Sequence, residues 1–152
     1  MGQISWMPSN PIEVLTPADY DDLAALWKEA GLPYRPAGRD SREAILGQMK
    51  QPFCRFFGVR DGRGALVGSV IANHEGRKGW INRLAVRPSA RRSGIARALV
   101  AACEQWLFGE GVPIVAALVE GDNHSSQALF TSCDYERDDT LVYFRKLTRP
   151  GV

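Results

Sequence analysis

The chain has 152 residues, 45% of them hydrophobic and 24% charged, and a formal net charge of +2. That length and apolar content suit one globular domain with a sizeable core, and the charge is too slight to mark a nucleic-acid binder. Three cysteines (Cys54, Cys103 and Cys133) without metal-ligand spacing point to reduced thiols, a cytoplasmic setting and no metal site. No apolar run reaches the length of a membrane span, so no membrane partner is expected. The N-terminus lacks the basic and apolar regions of a secretion signal, and Trp6 stands where a myristoylation pattern needs Ser or Thr.

Residues 1–11 hold two prolines and no periodicity, and are expected as a loose arm on a single domain spanning 1–152. A short strand is expected over 12–15. Thr16 is placed as an N-cap with Pro17 at the first helical position. Leu23, Leu26, Trp27 and Ala30 then mark the buried face of a helix that Gly31 ends. Residues 32–40 form a loop carrying Tyr34, Arg35 and Arg39. Ser41 caps a second helix, with Ile45 and Met49 turned inward. Strands follow over 53–60 and 66–73, joined by the turn Asp61-Gly62-Arg63-Gly64, and a third over 80–86 after a loop at 74–79. From Gly94 a helix buries Ile95, Leu99, Cys103, Trp106 and Leu107 at helical spacing, and Gly109 and Gly111 stop it. Residues 112–119 are almost all apolar and rich in β-branched types, which reads as a buried strand. A helix over 125–133 follows. Two closing strands are expected near 135–137 and 141–147, across a turn at Asp138-Asp139. The order β-α-α-β-β-β-α-β-α-β-β is mixed α/β.

The stretch from Trp80 to Leu107 carries the most chemistry. The strand ending in Leu84-Ala85-Val86 is stopped by Pro88, and the turn Ser89-Ala90-Arg91-Arg92-Ser93-Gly94 opens a helix. A glycine turn at a helix N-terminus aims several backbone N–H groups at one spot with the helix dipole behind them. Arg91 and Arg92 add positive charge, so the turn is a candidate pyrophosphate cradle. The P-loop pattern G-x-x-x-x-G-K-[ST] and the dinucleotide pattern G-x-G-x-x-G are both absent.

Arg91-x-x-Gly94-x-Ala96, directly after an apolar strand, resembles the acyl-CoA motif Q/R-x-x-G-x-G/A of the GNAT superfamily of N-acetyltransferases. Downstream, Asn123, Leu129 and Tyr135 match the spacing of the family's second segment, N-x-x-A-x-x-L-Y-x-x-x-G-F. Ser126 replaces its alanine, Phe130 its tyrosine and Asp134 its glycine. The combined match runs from Trp80 to Leu147. It implies a central mixed, mostly antiparallel sheet with helices on both faces. It also implies direct transfer of an acetyl group from acetyl-CoA to a primary amine of a small molecule or peptide, with no metal. The backbone of Leu84, Ala85 and Val86 would hold the pantetheine arm, in a slot left where this strand splays from the one over 112–119. The turn Arg91, Arg92, Ser93, Gly94, Ile95 and Ala96 would hold the pyrophosphate, with Asn123 and Phe130 alongside the cofactor. A homodimer is a candidate assembly.

The proton-transfer groups are less defined. Phenylalanine cannot protonate a departing thiolate as the family's tyrosine does, and no glutamate occupies the strand over 80–82. Glu120 is the candidate base, acting through water, although a solvated strand end explains it equally well. Tyr143 is the candidate acid, with Ser126 or a water as substitutes. His74, Glu75 and His124 read as solvated. Tyr34, Arg35 and Arg39 are the candidates for shaping the acceptor pocket, although an ordinary polar loop better explains each one singly; the two arginines, if they point inward, would disfavour a strongly cationic substrate. The replaced tyrosine and the missing strand glutamate also support a non-catalytic acyl-CoA-binding or sensing domain. A nucleic-acid module built on the basic turn lacks the interleaved aromatics it would need.

Overall fold

The computed structural model describes residues 10–152. Of the arm expected over 1–11, all but Asn10 and Pro11 lies outside the described residues. Asn10 itself is buried, and its side-chain amide donates to the Arg60 carbonyl. The elements are β1 (Glu13–Val14), α1 (Tyr20–Glu29), α2 (Arg42–Met49), β2 (Cys54–Arg60), β3 (Leu66–His74), β4 (Gly79–Val86), α3 (Ile95–Gly109), β5 (Val115–Ala117) and α4 (His124–Ser132). They build one sheet in the order β1-β2-β3-β4-β5. Strands β1 to β4 pair antiparallel, and β5 joins β4 in parallel. This is the mixed, mostly antiparallel sheet the sequence implied.

Every position of β3 from Leu66 to Ala72 is buried. A strand reads this way, without alternation, when helices cover both faces of its sheet. Leu23, Leu26 and Trp27 of α1 and Ile45 of α2 form one core with Phe56 and Ile71. Leu99, Val100, Cys103 and Leu107 of α3 and Phe130 of α4 form the other with Val70 and Ala72. Alternate strand residues thus feed opposite cores, as the period of two requires. Helix α3 lies close on β3 because Gly68 permits it: an added Cβ there would come within 2.6 Å of Ile95 Cγ2.

Local capping sets the helix starts. The Ser41 hydroxyl accepts from the Ala44 N–H at 3.1 Å and opens α2. The Thr16 N–H donates to the Asp19 carboxylate at 2.8 Å. The turn it opens is a short 3-10 segment, Pro17–Asp19, ahead of α1. Arg60 ties this corner together, bonding Glu13 and Asp22 at 2.9 Å each, and Asp19 as well. Burial works against its charge, but these three carboxylates hold its pKa above the usual guanidinium value.

The two closing strands do not form. No strand pairing occurs among residues 133–152. The Asp138 carboxylate accepts from the Thr140 N–H at 3.0 Å, which folds that turn onto itself instead of into a hairpin. Strand β5 ends at Ala117 after three residues, so the available edge is short for a seven-residue neighbour. Leu141, Val142, Tyr143 and Phe144 remain between 65% and 87% exposed.

Candidate active site

The site begins at an irregularity in β4. Asn82 pairs with Ile71 and Ala85 with Ser69, so Arg83 and Leu84 together face the single residue Val70. That is a β-bulge, and it bends the strand. Arg83 takes up the turn with φ of 56°, an uncommon conformation for a residue with a side chain. Before the bulge, Gly79, Trp80 and Ile81 pair with Val115, Ala116 and Ala117 of β5. After it, the two strands part. The edge of β4 at Leu84, Ala85 and Val86 therefore has no β5 partner.

The strand runs on into the turn before α3. Gly94 is the N-cap with φ of 86°, and no side chain caps the helix. The first intrahelical bond runs from the Ala98 N–H to the Gly94 carbonyl at 3.0 Å. The N–H groups of Ile95, Ala96 and Arg97 therefore have no acceptor within the helix, which is what an anion cradle needs. Arg92, also at positive φ (63°), is exposed beside them. Arg91 is engaged differently: its Nε donates to the Val86 carbonyl at 3.1 Å and its Nη2 to the Ala30 carbonyl at 3.3 Å. It fastens the turn to the end of α1. The Ser93 hydroxyl donates back to the Ala90 carbonyl, and the Ala90 and Arg91 N–H groups donate within the turn to the Arg87 and Pro88 carbonyls.

The second segment packs beside this turn. The Asn123 side-chain oxygen accepts from the Ser126 N–H at 3.1 Å and caps α4. Phe130 is 8% exposed, with its ring edge-on to Tyr135 at a centroid distance of 5.1 Å. The Tyr135 hydroxyl donates to Glu104 at 2.6 Å; burial first, then this carboxylate, pushes the phenol well above its usual pKa. Asp134 has φ of 68°, which explains the glycine usual there: the residue after α4 must be left-handed. Arg97 Nη2 donates to the Ser132 hydroxyl at 2.8 Å and joins α3 to α4.

Glu120 and Tyr143 lie far apart in sequence but line one cleft of about 660 Å³, together with Leu118, Arg39 and Arg145. Both are exposed. Tyr34 contacts the Tyr20 hydroxyl at 3.2 Å, while Arg35 reaches the loop's interior only through its N–H, on Asp40 at 2.8 Å. Sequence reasoning missed Arg83. From the bulge its side chain crosses under the 32–40 loop, stacks on Trp27 at 4.3 Å and donates to the Pro33 carbonyl at 2.7 Å. Burial lowers its pKa, Asp40 opposes that, and the neighbouring Arg39 reinforces it. The available signal was a lone arginine inside an apolar strand.

A sheet whose fourth strand bulges away from a parallel fifth, beside an uncapped glycine turn, has known counterparts. The profile described as Acetyltransferase (GNAT) family matches residues 20–135. The chain belongs to the GNAT acetyltransferase family. It is an acyltransferase. Acetyltransferase YE1169 of Yersinia enterocolitica is 29% identical over 136 residues, covering 90% of this chain and 94% of that one. Among solved structures, the aminoglycoside 6'-N-acetyltransferase AAC(6')-Ih of Acinetobacter baumannii matches with a TM-score of 0.77 at 19% identity, over 93% of this chain and all of that one. AAC(6')-Iy, solved with CoA, matches with a TM-score of 0.73 at 19% identity, over 90% and 94% of the two chains. At these identities the solved structures speak for the fold of this acetyltransferase. No helix among its described residues is long and apolar enough to cross a membrane.

Proposed function

We propose that the protein is an acetyl-CoA-dependent N-acetyltransferase acting by direct transfer on a primary amine of a small molecule or peptide. The observation that supports this is the edge of β4 left without a β5 partner beyond Ile81, followed by the uncapped α3 turn. The fit is chemical. A pantetheine arm carries amides that bond like an added strand along the edge of β4 at Leu84, Ala85 and Val86 that β5 does not cover. A pyrophosphate matches the free N–H groups of Ile95 and Ala96 and the charge of Arg92. Bound there, acetyl-CoA supplies an activated acyl group.

The chain's own residues then position and move protons. Backbone confinement of the two reactants is worth roughly 7–11 kcal/mol in favourable cases, so few catalytic side chains are needed. The Glu120 carboxylate accepts a proton from the attacking amine through water, and the Tyr143 hydroxyl returns one as the C–S bond breaks. Asn123 acts by holding α4 in place, and Phe130 by packing its inner face.

Acetyl-CoA titration with a thermal melt and calorimetry tests the donor, and thiol release with an amine panel tests transfer. Protection against unfolding that rises with acetyl-CoA concentration is expected. No protection and no thiol release would overturn the reading. The three unpaired thiols fit a reducing, cytoplasmic setting. A homodimer also belongs to this reading. Phe144 is 87% exposed, in a run of apolar residues of the kind a second copy covers. Light scattering should give twice the chain mass, and Phe144→Glu should halve it; a monomer at every concentration refutes the dimer.

A further inference from the structure

The donor turn opens a helix on one core of the sheet, and the acceptor cleft takes one wall from the loop beside the other core and another from Val119, which packs on the donor's core. Gly94 opens α3, which packs on one core. Arg39 belongs to the loop after α1, which packs on the other. The cleft joins that loop to the end of β5 and to residues 143–148. At about 660 Å³ the cleft is the size of a small-molecule site.

Its charge is lopsided. Arg39, Arg145 and Lys146 line it, against Glu120 as the only acidic side chain. Among the described residues, Arg145 and Lys146 make no ion pair or hydrogen bond. Arg39 spends one nitrogen, Nη1, on the Val152 carbonyl at 3.0 Å. Behind it sits the Arg83 guanidinium, whose Nε and Nη2 are buried without a hydrogen-bond partner. The nearest acid, Asp40, lies 3.8 Å from Arg83 and already accepts from the Arg35 N–H. Three guanidiniums and one ammonium thus stand around or behind a site with one carboxylate side chain facing it and one beneath. An anion entering there relieves like-charge repulsion, and a polycation adds to it.

We propose that the acceptor carries a carboxylate beside its reacting amine, and that Arg39, with Arg145 and Lys146, selects it. This rests on the acetyl-transfer reading and names its substrate class. The apolar walls Leu118, Val119 and Leu147 take the acceptor's carbon skeleton. The carboxylate sits toward Arg39, which leaves the amine toward Glu120. Polyamines and aminoglycosides, which are polycations, are excluded by the same charges, whatever the shared fold with aminoglycoside acetyltransferases.

The test uses the full chain with acetyl-CoA and three sets of amines: free α-amino acids, their carboxamides, and the polycations spermidine and kanamycin. Thiol release gives kcat/KM, and saturation-transfer NMR in the presence of CoA gives binding. The expected result is at least a tenfold preference for a free amino acid over its carboxamide, with no use of the polycations. Arg39→Gln should shrink that preference through KM, and Arg39→Glu should invert it. Equal or better use of the carboxamides or polycations overturns the proposal, and so does absence of binding by every free amino acid. Acetyl-CoA protection against unfolding, measured alongside, separates this failure from failure of the acetyl-transfer reading.

Discussion

Removing the Asn123 side chain separates its two possible duties. Its oxygen accepts from the Ser126 N–H at 3.1 Å, and no other side-chain cap is recorded at the start of α4. Asn123→Ala leaves that N–H without its protein partner. Loss of such a cap costs about 1 kcal/mol, within a range of roughly 0.5–2. For a chain of this length that lowers the melting temperature by about 2–4 °C. Asn123→Asp keeps the acceptor oxygen and adds favourable charge at a helix N-terminus, so it should melt like the parent. The assay is a set of thermal melts on the three proteins, with KM for acetyl-CoA measured in parallel. Capping predicts a lower melting temperature for the alanine variant alone and a KM changed little. An alanine variant that melts with the parent while its KM rises severalfold would refute this. Asn123 would then be a direct cofactor ligand.

Gly94→Glu should weaken acetyl-CoA binding more than tenfold by calorimetry, because the side chain enters the phosphate cradle with the wrong charge. Wild-type affinity in that variant would place the donor site elsewhere. Asp134→Gly should raise stability by up to about 1 kcal/mol in denaturant titrations, since φ of 68° strains any residue with a Cβ; a loss of stability would show that the aspartate side chain is needed there. Burial, helped by Glu104, raises the Cys103 thiol from 9.0 to about 12, and burial with the Tyr34 hydroxyl raises Tyr20 from 10.0 to about 12. The folded chain holds these protons more tightly than the unfolded one, so stability is full below about pH 9 and falls as the pH climbs to 12. Melts that stay flat from pH 9 to 12 would contradict this. Iodoacetamide at neutral pH should modify half-buried Cys133 and spare buried Cys54 and Cys103; mass spectrometry of the native protein decides.

What could be read in advance was what local chemistry decides. Ser41 and the glycine turn at Gly94 open their helices as expected, because a cap needs only the few residues after it. The sheet covered on both faces came from the family resemblance, and the burial of every position from Leu66 to Ala72 bears it out. The closing strands were misread because composition records what a segment suits, whether or not an edge is there to pair with it. Residues 141–147 keep a strand's composition and have only the three-residue edge of β5 nearby.

Arg83 was hidden for the opposite reason. In the string Trp80-Ile81-Asn82-Arg83-Leu84-Ala85-Val86 nothing marks the extra residue. The bulge exists only in the register with β3, where two residues meet Val70. Yet that single misalignment does two things at once. It bends β4 just past its last pair with β5, Ile81 with Ala117. It also swings a guanidinium toward the other face of the sheet, beneath Pro33 and against Trp27. The donor edge and the acceptor loop therefore share one residue. Flattening the bulge, for instance by deleting Arg83, would be felt on both sides of the sheet, in acetyl-CoA affinity and in acceptor selection together. A bulge that served only the fold would move neither without first lowering the melting temperature.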